Sequence, residues 1–218
     1  MATTVDRPGA ERYVPGTLDL EALRDAAAGC QGCELYRDAT QTVFGKGPST
    51  AAMMLIGEQP GDLEDQQGVP FIGPAGRLLR KALQASGIDV EQVYLTNAVK
   101  HFRWKATAQG NRRIHQKPAA GNVAACRPWL HAELGSVRPA VVVALGATAA
   151  QAILGPRFTL TSSRGLPLSL PEQFGVDTDA ELFATIHPSA ILRGPDREAG
   201  LAGLVRDLRT AAAALPAT

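Results

Sequence analysis

The chain has 218 residues, of which 45% are hydrophobic, and this is enough to bury the core of one α/β domain. Its 22 lysines and arginines nearly balance 21 aspartates and glutamates, so the net charge of +1 gives no global reason to expect a polyanionic partner. The N-terminus is polar, and no apolar run reaches the ~18 residues of a membrane span, so we expect a cytoplasmic protein with no membrane partner. Three cysteines in a reducing compartment favour a metal site or catalysis over disulfides.

Apolar spacing along the chain predicts helices that alternate with strands. A helix over 18–28 leads to Cys30 and Cys33, and residues 51–57 read as a buried strand that ends in glycine. The later elements are a helix from 74, a strand at 93–99, helices at 119–134 and 147–154 around a strand at 140–146, a strand at 182–188 and a helix at 196–214. Residues 109–118 read as a basic loop.

This alternation predicts an α/β fold around a mainly parallel sheet of four strands, with a small extra hairpin near 159–170. Residues 1–16 are expected to be a flexible N-terminal segment. In parallel sheets, ligands bind at the carboxyl ends of the strands. Four segments lie at such ends: 57–60, 97–101, Gly146 and 187–189.

The basic residues are concentrated in one part of the chain. Between Glu91 and Glu133 there is no acidic residue, while the interval holds seven cations: Lys100, Arg103, Lys105, Arg112, Arg113, Lys117 and Arg127. The aromatic residues Phe102 and Trp104 are interleaved among them. Such a segment is either a solvated basic face or a surface that meets phosphates. It also contains His115, whose protonated form the adjacent arginines disfavour, so we expect a neutral imidazole that acts as base, ligand or nucleophile.

A second group of residues has the chemistry of a metal site. Cys30, Cys33, His101 and Cys126 form a set of three thiols and one imidazole. From the spacing alone, structural zinc is the favoured metal, because this combination of ligands is common in structural zinc sites.

Several motifs, in this order, resemble the iron-sulfur uracil-DNA glycosylases of the family-4 type. They are the Cys30-x-x-Cys33 pair, GEQPGDLEDQQGVPFIGPAGRLL at 57–79, VYLTNAVKHFR at 93–103, AACRPWL at 124–130 and HPSAILR at 187–193. The resemblance implies a three-layer αβα sandwich in a single domain at 17–215. It also implies a [4Fe-4S] cluster in place of zinc, held by Cys30, Cys33, His101 and Cys126, with His101 replacing the usual fourth cysteine.

Three departures from that pattern are shared with the UdgX-type branch. Gln59 stands in place of an alanine, His101 in place of a cysteine, and the loop carrying RRIH is extra. Members of that branch resemble glycosylases but remain covalently attached to uracil-containing DNA through a loop histidine. Here that histidine is His115, and Asn111 stands where the branch loop has lysine.

The resemblance implies a role for each site residue. The implied catalytic residues are His115 as nucleophile, Glu58 as acceptor of its other ring proton, His187 as donor to a uracil carbonyl, and Asp62. Asp62, together with Gln59 and Asp65, is expected to hold the loop or order water. The implied uracil-binding residues are Phe71 by stacking, Asn97 at the Watson–Crick edge, Gln59 and His187, and the implied DNA contacts are Arg112, Arg113, Lys117 and Arg193. Read without the resemblance, Phe71 is a core residue, Asn97 a turn former and His187 a structural histidine.

Together with the resemblance, the sequence predicts a monomeric enzyme that acts on uracil in DNA and becomes linked to the sugar through His115. The resemblance alone implies the preference for single-stranded DNA. One alternative is a turnover glycosylase in which water attacks and His115 only contacts DNA. Another is a non-catalytic, metal-stabilised nucleic-acid-binding module that uses the basic stretch. Electrostatic binding alone does not call for Glu58, Phe71 and Asn97 at strand ends, which disfavours the last alternative.

Overall fold

The computed structural model describes residues 7–108, 112–174 and 180–216. Helices and strands alternate through most of this chain, as predicted. Their bounds are α1 Leu20–Ala28, β1 Met53–Gly57, α2 Asp62–Gln67, α3 Pro74–Ala85, β2 Val93–Asn97, β3 Trp104–Ala106, β4 Arg113–His115, α4 Ala120–Val137, β5 Val141–Leu145, α5 Ala147–Leu154, α6 Leu160–Ser163, β6 Pro167–Ser169, β7 Glu181–Thr185, α7 Pro188–Arg193 and α8 Arg197–Ala213.

The central sheet has five strands in the order β2-β1-β5-β7-β6, one more than predicted. The first four are parallel, and β6 runs antiparallel to β7 at the edge. The hairpin predicted near 159–170 is instead the short helix α6 followed by β6. Pro167 begins β6, which suits an edge position because proline has no N–H for a further ladder.

Alternate residues of the strands point to opposite faces of the sheet and enter two separate cores. One face packs against α1, α4 and α5 through residues such as Met54, Ile56 and Val142. The other face packs against α3, α7 and α8 through Met53, Leu55 and Val143. Strands that are buried on both faces require helices on both sides, so the three-layer αβα sandwich is confirmed.

The basic segment is not an irregular loop as predicted, because it contains the antiparallel hairpin β3–β4. Trp104 pairs with His115 and Ala106 with Arg113, while the amide of Thr107 donates to the carbonyl of Arg112 at 2.9 Å. Asn111, singled out in the sequence, lies outside the described residues. His115 is therefore presented by a paired strand.

The described part of the N-terminal segment contacts the domain. Arg7 pairs with Glu34 at 2.6 Å, and the amide of Ala10 donates to the carbonyl of Ala125 at 2.9 Å. Residues 1–6 of the segment predicted to be flexible lie outside the described residues. In the parts of the chain described above, no helix combines the length and apolarity that crossing a bilayer requires.

Candidate active site

The carboxyl ends of β1, β2 and β7 border a cavity of about 350 Å³. Its walls include the side chains of Phe71, Asn97, His115, His187 and Arg193. These residues are far apart in the chain. The parallel sheet brings Asn97 and His187 to one edge, while the hairpin β3–β4 adds His115 and the turn before α3 adds Phe71. The cavity is large enough for a small organic ligand.

Phe71 and Asn97 form adjoining parts of the cavity wall, and Gly57 makes their positions possible. Gly57 pairs with Asn97 across β1 and β2. A Cβ at Gly57 would lie 2.4 Å from Oδ1 of Asn97 and 2.7 Å from Cζ of Phe71, so any larger residue would displace both. Phe71 itself adopts a left-handed backbone conformation (φ 57°), which is uncommon for a bulky residue and is often associated with functional sites.

His187 has a defined tautomer in the wall opposite Phe71. Its ring stacks near that of Phe71, with centroids 6.5 Å apart. Its Nδ1 accepts the backbone N–H of Ser189 at 3.1 Å, so the proton of the neutral ring resides on Nε2. Burial, with the nearby charges of Arg193 and His115, lowers the pKa of His187 to about 4. At neutral pH His187 is therefore an uncharged hydrogen-bond donor.

His115 lies in the same cavity beside Glu58. Nε2 of His115 is 3.4 Å from Oε1 of Glu58, and the two side chains are 48% and 21% exposed. Burial and then Arg193 lower the pKa of His115, against the opposite effect of Glu58. The predicted neutral imidazole is thus supported, but its cause differs from the predicted one. Burial and Arg193, and not Arg112 and Arg113, lower the pKa of His115.

Arg113 anchors the hairpin to α2. Its Nε donates to Oδ1 of Asp62 at 2.5 Å, and its Nη1 donates to Oδ2 of Asp65 at 2.6 Å. The guanidinium also lies 5.5 Å from the ring centroids of Phe102 and of Trp104. Burial opposes the charge, but the two carboxylates outweigh it and raise the pKa of Arg113. Arg113 was predicted to clamp phosphate, and the structure instead pairs it with Asp62 and Asp65. The loop-holding role predicted for these two aspartates is thereby supported, and a catalytic role of Asp62 stays a prediction.

Gln59 was predicted both to hold the loop or order water and to contact uracil, and its contacts in the structure support the hold on the loop. Its side chain is buried, and its Nε2 donates to the carbonyls of Arg103 and Gln116, each at 3.1 Å. Its Oε1 accepts the backbone N–H of Arg103 at 3.1 Å. The amide therefore joins the two ends of the hairpin segment, and a contact of this side chain with uracil stays a prediction.

The three other predicted DNA contacts are exposed, and one of them, Arg193, lines the cavity. Arg112 and Lys117 are exposed on the hairpin segment, and Arg193 is exposed at the end of α7. Arg193 is near enough to affect the pKa values of both His115 and His187. Cations in these places can meet a chain of phosphates that passes the cavity.

The three cysteines are buried near one another, with Cys126 on the buried face of α4. Burial raises the pKa of Cys126 to about 12, and Cys33 and Cys30 add to the effect, which shows their proximity. Each sulfur has a polar partner. The indole N–H of Trp129 donates to Cys30 at 3.2 Å, the amide of Lys100 donates to Cys126 at 3.3 Å, and Asn122 and the backbone of Leu35 contact Cys33. N–H groups directed at sulfur stabilise metal-bound thiolates, so these cysteines fit the predicted cluster.

His101 fits the set less completely. Burial lowers the pKa of His101 to about 4 despite the opposing charge of Asp65, so the ring is neutral, as a metal ligand must be. Its Nε2, however, is 3.0 Å from the hydroxyl of Thr42. Among the described residues, no three Cys, His, Asp or Glu side chains come close enough to hold one metal ion. Ligation by His101 stays a prediction.

Three residues at the site were missed in the sequence. Thr148 contacts Glu58, Ser189 fixes the tautomer of His187, and the buried Glu64 accepts the amide of Gly73 at 2.8 Å beneath the cavity. Thr148 and Ser189 follow strand ends that the sequence did reveal, at Gly146 and His187, and this position was the available signal. Glu64 gave no signal, because its contact depends on the turn of the chain between α2 and α3.

Comparison with known proteins places the chain among enzymes that act on uracil in DNA. The sequence model of the uracil DNA glycosylase superfamily matches residues 44–209. The type-4 uracil-DNA glycosylase of Thermotoga maritima is 34% identical over 180 residues, which are 82% of this chain and 86% of that protein. That of Pyrobaculum aerophilum is 32% identical over 179 residues, 82% and 87% of the two chains. A type-5 uracil-DNA glycosylase of the same organism is 43% identical over 68 residues, 31% and 26% of the two chains.

Proposed function

Because the chain belongs to the uracil DNA glycosylase superfamily, we propose that it excises uracil from DNA, preferably single-stranded, and then remains bonded to the sugar through His115. The observation that carries the covalent step is the place of His115. A neutral imidazole stands in the cavity with a carboxylate 3.4 Å away, on a hairpin that is held at its ends and in its middle.

Recognition of uracil uses three of the cavity walls. The flipped base stacks on Phe71, and leaving the base stack costs the DNA about a few kcal/mol. The side-chain amide of Asn97 both donates and accepts, which matches the Watson–Crick edge of uracil and rejects cytosine. Nε2–H of His187 donates to a uracil carbonyl, and this bond strengthens as negative charge develops on the departing base.

The proposed reaction of uracil-containing DNA with His115 needs no further reagent, because each bond that breaks is matched by one that forms. The bond between the sugar anomeric carbon and N1 of uracil breaks, and its electron pair leaves with the base. The lone pair of one ring nitrogen of His115 forms the new bond to that carbon. The proton on the other ring nitrogen passes to Glu58, and the uracil anion, stabilised by His187, takes up a proton from solvent. A neutral imidazole bonded to carbon is a poor leaving group, so the adduct persists.

We assign a [4Fe-4S] cluster to the cysteine site, with Cys30, Cys33 and Cys126 as ligands and His101 as the proposed fourth. A cluster binds each cysteine through a separate iron, so it does not need the close convergence that one zinc ion needs. When bound, it supplies structural support, because the chain leaves His101, passes through the hairpin and returns to Cys126. Brown protein with visible absorbance and bound iron would support the cluster, whereas colourless protein with bound zinc would refute it.

A turnover glycosylase is the second candidate, and the similarity to curated type-4 uracil-DNA glycosylases favours it. In that case water attacks the sugar, and His115, which is half exposed, contacts DNA. The two candidates predict different products from the same reaction: a protein–DNA adduct in equal amount to the protein, or free abasic DNA over many turnovers.

Denaturing gel electrophoresis after incubation with a single-stranded oligonucleotide that contains one uracil separates the candidates. A band that is shifted by the mass of the protein and survives heat and detergent supports the adduct. We expect His115→Ser to abolish that band and to admit water, so that uracil is released without attachment. His131→Ser is the matched control, because His131 lies on α4 against Phe174 and should leave the adduct unchanged. A crosslink formed by His115→Ser would show that another group is the nucleophile.

A further inference from the structure

Thr148 contacts the active site through one short hydrogen bond. It lies in the first turn of α5 and is 6% exposed. Its hydroxyl donates to Oε2 of Glu58 at 2.5 Å, across 90 residues of chain. None of the motifs read from the sequence includes this residue, and the reaction described above does not use it.

The turn before α5 fixes the place of Thr148. Gly146 ends β5 with φ 88° and ψ 166°, a conformation that suits glycine. A Cβ at Gly146 would lie 2.9 Å from Cβ of His187, so the turn also lies directly against the other catalytic histidine. The β5–α5 connection therefore brings Thr148 to Glu58 on one side and supports His187 on the other.

The carboxylate of Glu58 has one oxygen for each neighbour. Oε2 is bound to Thr148, while Oε1 faces His115. A glutamate side chain rotates about three torsions, and at 21% exposure Glu58 is only partly confined by packing. Threonine is β-branched and buried here, so its hydroxyl is a fixed donor that selects one orientation of the carboxylate.

The hydroxyl of Thr148 has no evident role in holding its own helix. The residue follows Ala147 inside the first turn of α5, and no side chain caps that helix, so the hydroxyl does not serve as an N-cap. Its single proton is committed to Glu58. Valine has nearly the same shape and can fill the same volume without the donor.

We propose that Thr148 is a positioning residue for the reaction: it fixes the Glu58 carboxylate so that the free oxygen receives the proton of His115. This inference rests on the proposed function, in which Glu58 and His115 act together. It adds a residue from β5–α5, a part of the chain to which the resemblance assigned no task.

The test measures single-turnover reaction of the full chain with a single-stranded oligonucleotide carrying one uracil, at saturating protein. Thr148→Val should lower the rate constant for adduct formation roughly 10- to 100-fold, the range expected when a reacting group is misplaced. Thr148→Ser keeps the hydroxyl and should stay within about 3-fold of the original rate. Affinity for a uracil-free oligonucleotide should be the same in all three proteins, since Thr148 is buried and does not contact DNA.

A double-variant comparison separates positioning from a general structural effect. If Thr148 acts through Glu58, then adding Thr148→Val to Glu58→Gln should slow the reaction no further. A rate for Thr148→Val equal to the original, or an effect that multiplies fully with that of Glu58→Gln, would overturn the proposal. Should Thr148→Val fail to fold, Thr148→Ala removes the same donor without added bulk and is judged by the same criteria.

The failure of this inference and the failure of the covalent function give different results. If the unaltered protein releases uracil but forms no adduct, the covalent function is wrong, and Thr148 is then judged on the rate of uracil release. If the unaltered protein forms the adduct and Thr148→Val forms it equally fast, only the role of Thr148 is wrong.

Discussion

Replacing Arg113 with glutamine should detach the hairpin that carries His115. The arginine joins β4 to α2 through Asp62 and Asp65, and it fills the space between Phe102 and Trp104. Glutamine is too short to reach both carboxylates and carries no charge. The side chain of Asp65 is fully buried, so the substitution leaves a buried carboxylate without its cation.

The size of the effect follows from the exposure of the partners. Removing one member of a buried ion pair costs about 3–5 kcal/mol. Here Arg113 is 19% and Asp62 44% exposed, which weakens that contact, and Asp65 keeps the backbone N–H of Thr40 at 3.0 and 3.1 Å. We therefore expect about 2–3 kcal/mol, which corresponds to a roughly 30- to 150-fold increase in hairpin opening.

Amide hydrogen exchange measures this opening directly. The amides of β3 and β4 should exchange about 30 to 150 times faster in Arg113→Gln, while those of β1 keep their protection. Adduct formation should slow, because His115 spends less time in the cavity. Arg112→Gln is the matched control: its residue is exposed on the same segment, so the change should weaken DNA binding in a salt-dependent way without altering exchange. Unchanged hairpin exchange and an unchanged adduct rate in Arg113→Gln would refute the reasoning.

Three further predictions concern charge and metal. Burial and Arg193 lower the pKa of His115, and the neutral ring is the reactive form. The rate of adduct formation at saturating DNA should therefore fall to half only below pH ~6.5. Arg193→Gln removes one of the two causes and should move that midpoint to higher pH. Lys100 and Glu133 form an ion pair with both side chains 0% exposed, so Glu133→Leu should lower the free energy of unfolding in urea by about 3–5 kcal/mol, and adding Lys100→Met should restore most of it. Cys126→Ser should reduce bound iron and visible absorbance, measured by metal analysis and spectroscopy; full iron content would contradict its role as a ligand.

Only the resemblance indicated that Phe71, in the turn before α3, and His115, on β4, belong to the site. The convergence of Asn97 and His187, by contrast, could be predicted from the sequence, because it depends on one general rule. Short apolar runs identified the strands, and the carboxyl ends of parallel strands meet at one edge of the sheet. The edge strand β6 could not be placed in the sheet, since three residues give too short an alternation to show which element they pair with.

The partners of Arg113 could not be predicted, because they lie 51 and 48 residues earlier in the chain. A cluster of cations next to a histidine shows that charge is present, but not which carboxylates the fold brings to it. From the sequence, Arg113 was therefore predicted to contact phosphate and to keep His115 neutral. With Asp62 and Asp65 paired to Arg113, that charge is compensated, and burial becomes the dominant cause.

Two features that the sequence singled out as departures from the family-4 pattern contact each other in the structure. The first is Gln59 in place of alanine, and the second is the extra loop that carries His115. The side chain of Gln59 makes three hydrogen bonds to the backbone of Arg103 and Gln116, which lie before and after the hairpin. Alanine has no group that can make any of them, and those backbone groups would then need other partners.

The hairpin is thus held at its ends by Gln59 and in its middle by Arg113, so the conformational entropy of presenting His115 is lost during folding and not during the reaction. A histidine on an unrestrained loop would pay that cost at each encounter with DNA, and water would compete with it at the sugar. Restraint of the loop is therefore what makes a covalent outcome physically reasonable on a glycosylase fold, and it depends on residues that do not contact the base.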